Sequence, residues 1–298
     1  MAIRETIRSL ETSPGRLQLF RQAFSRMMSL GDDRGYQWFA SIHALPLPGW
    51  CEHGTYLFLP WHRAYLFYFE LALQTRLGPR FTQRDPAEAA FADVAVPWWD
   101  WTSDESHRNG LPASYDAATV AGASNPLQSS GVASCQGGDR IALGVWSNAL
   151  VSSLRNSNDP DPRTRRALRG LLTPTGDPRT RRDPDEPDEL PRKNTIDNVV
   201  LQEPTFETFS DSLEQVHGDV HGWVGGSMSM VATAGYDPIF YSHHSMIDRI
   251  WYLWQISSLG VDPPAALLDT VLAPFPMTVR QTLSINLLGY DYAVRVSG

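Results

Sequence analysis

The sequence predicts a mainly α-helical protein, and the spacing of its apolar residues is the basis for this prediction. Residues 5–30 place apolar side chains near helical spacing, as one or two amphipathic helices would. Over residues 60–77, apolar side chains fall on nearly every side, which is typical of a buried helix. Further helices are predicted over about 205–224 and 238–259, and a short one over 36–44.

The remaining segments are predicted to be loops with some strand. The run VPWWDW at 96–101 is compact and aromatic and ends in a turn. Residues 103–195 are interpreted as a surface insertion, in which the charged, Pro-rich stretch 156–193 favours a long solvated loop. The tail 269–296 mixes strand and loop character. No internal repeat is visible by period, so residues 1–298 are expected to form one domain.

Composition and charge exclude several classes of protein. Hydrophobic residues make up 42% and charged residues 19%, a globular balance that argues against a disordered or fibrous chain. The net charge of −8 argues against nucleic acid as a partner, because binding phosphates requires clustered basic residues. No stretch approaches the roughly 20 apolar residues of a membrane helix, so no membrane association is expected. The first thirty residues lack a signal-peptide core, so a cytoplasmic location is expected unless a partner exports the protein.

The chemistry of this chain is concentrated in its histidines, six of which fall into two sets of three. His217 and His221 stand four residues apart on one face of a predicted helix, so both imidazoles can point at one ion. Asp219 lies between them, so the HExxH pattern of zinc proteases is absent. His244 lies in the next predicted helix, and an antiparallel return would bring it beside the pair.

The other set has looser spacing. His43 ends the short helix, His53 lies in a loop, and His62 opens the long apolar helix. A single histidine on an apolar helix is more often a core residue than a ligand. Six histidines placed in this way, all next to aromatic runs, favour metal binding instead.

The donor type narrows the choice of metal. Imidazole suits Zn, Cu, Fe and Ni, whereas Mg, Ca and Mn prefer oxygen ligands. A di-zinc hydrolase would require a carboxylate ligand, and none stands at ligand spacing. Two three-imidazole sites suit Cu(I), which tolerates few, neutral ligands, and each site leaves a position open for dioxygen.

Four motifs carry a resemblance to a known family. FLPWHRAYLFYFE (58–70), VPWWDW (96–101), VHGDVHGWVGG (216–226) and YDPIFYSHHSMIDRIW (236–251) together resemble the tyrosinase family of type-3 copper proteins. The match covers roughly residues 35–101 and 203–260, and LLGYDY at 287–292 is similar to the family's tyrosine motif.

The resemblance implies a four-helix bundle core that holds two copper ions and takes O₂ as co-substrate. By position in the motifs, His43, His53 and His62 would bind the first copper ion. The second ion would be bound by His217, His221 and His244. Of the adjacent histidine pair, the family's ligand is the second, so His243 is expected to lie behind the ligands.

Two further residues near the ligands are assigned a role. Cys51 and His53 have the Cys-x-His spacing at which many family members form a thioether, which would fix the His53 ring. The alternatives are a free buried cysteine or, less in keeping with a cytoplasmic chain, a disulfide to Cys135. Asp248 lies one helical turn after His244 and would orient its ring or pair with Arg249.

Three positions bear on the activity. Monophenol-hydroxylating members commonly carry Asn after the first ligand of the second copper, where it helps to place a water, and this chain has Gly218. The partner of that water is a glutamate, for which Glu214 is the best candidate, ahead of Glu207 and Glu203. Val231 stands where plant catechol oxidases place a bulky Phe, which predicts an open pocket.

These residues together predict a dicopper oxidase that converts o-diphenols or o-aminophenols into o-quinones or o-quinone imines. The alternatives are a true tyrosinase that also hydroxylates monophenols, and a haemocyanin-like O₂-binding unit. The expected partners are a small phenolic substrate and a small copper chaperone of the caddie type.

Overall fold

The computed structural model describes residues 1–30, 32–43, 50–130 and 182–293. The helices in these ranges are α1 Ile7–Glu11, α2 Pro14–Ser29, α3 Tyr36–His43, α4 Phe58–Leu73, α5 Asp104–Asn109, α6 Ala113–Asp116, α7 Lys193–Asn198, α8 Phe206–Val224, α9 Val231–Ala234, α10 Ile239–Gln255, α11 Val279–Thr282 and α12 Ile285–Leu288. The strands are β1 Ala2–Arg4, β2 Thr119–Val120, β3 Ala123–Ser124 and β4 Tyr290–Tyr292.

The long helices begin and end where local chemistry allows. The Thr205 side chain accepts a hydrogen bond from the Thr208 amide at 3.2 Å and caps the N-terminus of α8, and Gly225 with φ +66° ends that helix. Helix α4 ends at Leu73, earlier than predicted, because Thr75 takes a left-handed conformation with φ 61°. Every residue of α4 is buried, as its apolar pattern predicts.

The core is a bundle of helices around the histidines. Helices α4, α8 and α10 pack against one another, and α3 packs against α2 and α9. The two sheets have only two strands each: β1 lies parallel to β4, and β2 pairs with β3 in an antiparallel hairpin. The predicted mainly helical fold is therefore confirmed. No helix in the described residues combines the length and apolarity needed to cross a bilayer.

Two sequence-based boundaries need correction. The tail, predicted to mix strand and loop, contains α11 and α12 before β4, because a Thr278–Gln281 capping box and the Ser284 cap start helical turns too short to show a period. The surface assignment of residues 103–195 is too broad, since Tyr115 and Leu127 are fully buried in the core. Residues 131–181, including Cys135, lie outside the described ranges.

A buried ionic cluster joins both ends of the chain to two central helices. The Asp248 carboxylate of α10 accepts hydrogen bonds from Arg63 of α4 and from Arg4 of β1, the latter at 3.1 Å. It also accepts hydrogen bonds from the Tyr290 hydroxyl at 2.7 Å and from the Tyr292 hydroxyl, both in β4. All five side chains are buried, so the strands are attached to the bundle through charge.

The charges within this cluster compensate one another. Burial by itself would raise the pKa of Asp248, but attraction to Arg63 and Arg4 and the hydrogen bond from Tyr292 lower it below its ordinary value on balance. Arg4 also donates to Glu70 at 3.0 Å, so each arginine faces a carboxylate.

Replacing Asp248 by Asn keeps the side-chain volume and removes the charge that offsets Arg4 and Arg63. Removing one partner of a buried ion pair costs about 3–5 kcal/mol, so the free energy of unfolding should fall by that amount. Urea unfolding followed by circular dichroism measures the change. The matched control is D269N, which breaks an exposed pair with Arg280 at 3.0 Å and should leave the transition in place. Equal effects of the two substitutions would contradict the role assigned to Asp248.

Candidate metal centre

The first histidine cluster comes from three places in the chain. His43 is the last residue of α3, His53 lies in the loop before α4, and His62 lies in the second turn of α4. One ring nitrogen from each lies within 4.8 Å of the others. His43 and His62 are buried and His53 is half-buried, so the cluster opens to solvent on the His53 side.

The second cluster is built from α8 and α10. His217 and His221 are one turn apart on α8, and His244 approaches them from α10. The Nε2 atom of His244 lies 3.3 Å from the Nε2 atoms of both His217 and His221. Nitrogens about 2.0–2.1 Å from one ion, the usual length of a zinc–imidazole bond, lie roughly 3.3 Å apart in a tetrahedral arrangement. The spacing of His244 from His217 and from His221 therefore fits binding of all three to one metal ion, and the three ligand atoms lie within 4.8 Å of one another.

Backbone carbonyls set the tautomer of the ligands. The Nδ1 atoms of His43, His62 and His221 lie 2.9, 2.8 and 2.8 Å from the carbonyl oxygens of Val231, Phe58 and Met228, respectively. Each Nδ1–H donates to its carbonyl, which leaves the Nε2 lone pair free for a metal. The Nε2 atoms of His43 and His62 are buried without any hydrogen-bond partner, which is consistent with a role as metal ligands.

Burial keeps these imidazoles neutral at physiological pH. It lowers the pKa of His53 and of His221 to about 4. Burial, with repulsion from neighbouring imidazoles, holds the pKa well below the ordinary value in the other members, His43, His62, His217, His243 and His244. A neutral ring is the form that binds metal.

The two clusters form one centre. The rings of His62 and His244 stack with centroids 4.4 Å apart at an angle of 16°, and the rings of His53 and His217 lie 5.7 Å apart. Phe58 and Phe240 line the same space. The ring centroid of Phe240 lies 4.8 Å from that of His43 and 4.1 Å from that of His244. The arrangement is that of a two-ion, all-histidine centre inside a helical bundle.

Comparison with known proteins places the chain in a family. Residues 33–257 match the family model described as the common central domain of tyrosinase. Because this match covers well over half of the chain, the chain belongs to the tyrosinase family. The family binds two copper ions and O₂, and the two histidine clusters fit such a site.

The relatives include both enzymes and oxygen carriers. A tyrosinase of Streptomyces lincolnensis is 32% identical over 219 residues, which cover 68% of this chain and 64% of that protein. Units G and H of the hemocyanin of Sepia officinalis are 28% identical over 266 residues, which cover 85% of this chain and 37% of that protein. A functional unit of octopus hemocyanin shares the fold with a TM-score of 0.70 at 24% identity, over 99% of this chain and 68% of that chain. This chain therefore spans little more than a third of the Sepia protein.

The structure places Glu214 at the junction of the two clusters. Its Oε1 accepts a hydrogen bond of 2.7 Å from the amide of Gly54, the residue after His53. Burial raises the pKa of this half-buried carboxyl, although the Gly54 hydrogen bond opposes the rise. The side chain thus attaches the His53 loop to α8, an interaction that the sequence did not reveal.

Gly218 and Val231 both lie at the surface beside the ligands. Gly218 follows His217 on α8, is exposed, and has open space where a Cβ would stand. Val231 is 49% exposed, and its carbonyl is the group that holds the His43 ring. Among the described residues, Gly218 and Val231 are thus small, exposed positions at the rim of the centre.

Cys51 carries a free thiol in the structure. Burial raises the pKa of this thiol to about 12, so it is protonated at neutral pH. The thioether to His53 stays a prediction, and the alternative disulfide involves Cys135, outside the described residues.

Asp248 does not take the roles expected for it. Its carboxylate is bound by Arg4 and Arg63, and the guanidinium of Arg249 lies 4.1 Å from the centroid of the Trp98 ring. The Nδ1 atom of His244 is buried without a hydrogen-bond partner, so Asp248 does not orient that ring directly.

The metal-free protein should lose stability as the pH falls from about 6.5 towards 4. Histidines of the unfolded chain titrate near pH 6.5, whereas His53 and His221 in the folded protein titrate at about 4. Between these values the unfolded chain binds more protons, so the free energy of unfolding decreases on acidification, by at most about 1.4 kcal/mol per group and pH unit. Urea unfolding of the metal-free protein at several pH values between about 6.5 and 5 measures the slope of the free energy of unfolding against pH. The double variant H53N/H221N should reduce the slope, to which the other five imidazoles still contribute, and an unaltered slope would contradict this assignment.

Proposed function

We propose that this chain is a dicopper oxidase that uses O₂ to oxidise o-diphenols or o-aminophenols to o-quinones or o-quinone imines. The observation that carries the proposal is the exposure of the described residues at the rim of the metal centre. Gly218 and the half-exposed Val231 adjoin ligands of the two clusters, and His53 and His221 are themselves only partly buried. We propose that a planar aromatic substrate approaches the two ions on this side.

The copper pair, when bound, supplies a binding place for O₂ and accepts two electrons from the aromatic substrate. The chain's own contribution is to present neutral imidazoles at fixed positions, through the carbonyls of Val231, Phe58 and Met228. The rings of Phe58 and Phe240 contact the histidines, and the buried Trp61 packs beside His43. This apolar surface would limit the access of bulk water to the bound ions.

Glu214 can assist in proton transfer at the same rim. Its raised pKa lies closer to neutral pH than the pKa of an ordinary carboxyl. This favours proton exchange with a phenol or a water. Because Oε1 is used by the Gly54 amide, the proton would be handled at Oε2.

Gly218 favours diphenol or aminophenol oxidation over monophenol hydroxylation. A monophenol has to lose its proton before it can be oxygenated, and a glycine offers no side chain that could help to place the accepting water. The oxygen-carrier alternative gives no reason for an open rim, since O₂ is small enough to reach a covered site.

Oxygen consumption by the copper-loaded protein tests the proposal with three substrates: a monophenol, its catechol and the matching o-aminophenol. Turnover of the catechol or the o-aminophenol without the monophenol is the expected result. Hydroxylation of the monophenol would make the protein a tyrosinase. Reversible O₂ binding without turnover of any substrate would favour the carrier.

Replacing Gly218 by Asn should raise the ratio of monophenol to diphenol turnover by about 10- to 100-fold. This is at or below the low end of the rate enhancement that a positioned general base provides. The structure leaves room for the added Cβ, because no atom lies within 4 Å of it. Gly222, one turn later on the same helix, has equally open space, so G222N is the matched control and should leave the ratio unaltered. A ratio unchanged in G218N would remove Gly218 from the explanation of specificity.

Replacing Val231 by Phe should narrow the rim. We expect kcat/KM for a catechol with a bulky ring substituent to fall by about tenfold relative to unsubstituted catechol, the lower end of steric discrimination in a pocket. The matched control is V199F, because Val199 is also exposed (52%) and lies outside both clusters. Equal losses for both substrates would argue that Val231 does not face the substrate.

A further inference from the structure

His243 is a buried imidazole that none of the roles described above requires. It precedes His244 on α10, and its side chain is fully buried. Neither of its ring nitrogens has a side-chain partner or a hydrogen bond of good geometry, although the nearby His217 backbone offsets part of the burial effect on its pKa. Burying a polar group without a partner costs free energy, so such a group calls for an explanation.

The ring of His243 faces the second cluster. It stacks on His217 with centroids 5.3 Å apart at 17°, and it meets His221 edge-on at 4.9 Å. Trp101 lies on its outer side, 6.3 Å away. A ring nitrogen of His243 lies within 4.8 Å of the ligand atoms of His217, His221 and His244, so four imidazoles surround this position.

The Nε2 atom of His244 lies 3.3 Å from the Nε2 atoms of both His217 and His221, which is the spacing that one ion gives its ligands. A ring nitrogen of His243 lies within 4.8 Å of the ligand atoms of these three residues. Because successive residues of a helix point about 100° apart, His243 and His244 approach this position from different directions.

We propose that His243 is an auxiliary metal ligand, which binds the second ion together with His217 and His221 whenever His244 is not bound to it. An entering ion would then have three imidazole ligands, those of His217, His221 and His243, before His244 replaces His243. This exchange explains why a neutral, unpartnered imidazole is kept beside the cluster. The proposal depends on the metal centre alone and holds whichever substrate the enzyme oxidises.

The test counts Cu(I) ions bound per chain under anaerobic conditions, by elemental analysis and chelator competition. The H244A variant should still bind two ions, the second more weakly than in the wild type, whereas H243A/H244A should bind one. The matched control is H107A, because His107 belongs to neither cluster, and it should bind two ions with unaltered affinity. One ion in H244A would overturn the proposal and leave His243 as a packing residue.

A second variant keeps the proposal testable if H244A does not fold. H243F retains the aromatic packing against His217 and Trp101 and removes the nitrogens. It should bind two Cu(I) ions at equilibrium but take up the second more slowly than the wild type, in a stopped-flow transfer from a Cu(I)–chelator complex. An uptake rate equal to that of the wild type would overturn the proposal. These readouts do not involve turnover, so failure of the oxidase assay and failure of this proposal are distinguishable.

Discussion

The buried carboxylate of Asp248 is the interaction on which the position of the metal centre depends. It lies one turn after His244 on α10 and is bound by Arg63, the residue that follows His62 on α4. One ion pair thus fixes the two helices whose histidine rings stack at the contact between the clusters. Arg4 joins the same carboxylate, so the pairing of the first and last strands is coupled to the geometry of the centre.

Within that frame, the protein has to keep seven imidazoles, five of them buried and two half-buried, in their neutral form. Burial lowers the pKa of each ring, and where a carbonyl accepts from Nδ1–H, as for His62 and His221, the lone pair of Nε2 is directed inward. Burying ring nitrogens without a hydrogen-bond partner, as in His43 and His62, costs free energy, and a bound ion offsets this cost. The apoprotein is therefore expected to be the less stable form, and metal loading to be part of maturation.

The ligand set does not by itself decide what the centre does, because hemocyanins and tyrosinases are both relatives of this chain. On the proposed function, the surface around the ligands decides the activity, because it controls whether a substrate reaches the ions. In this chain the rim positions Gly218 and Val231 are small and exposed, and Glu214 ties the two halves of the centre together. Function in this fold is thus set by a few side chains that contribute little to its stability.

The sequence by itself determined the helices and the grouping of the histidines, because helical periodicity and the i, i+4 spacing of His217 and His221 are local properties. It also carried the family motifs around them. The partners of Asp248, the attachment of Glu214 to Gly54 and the inward position of His243 depend on contacts between segments far apart in the chain, which no local pattern records. The backbone carbonyls that orient the ligands have no signature at all in the sequence, since every residue has one, and only the tertiary structure decides which carbonyl meets which ring.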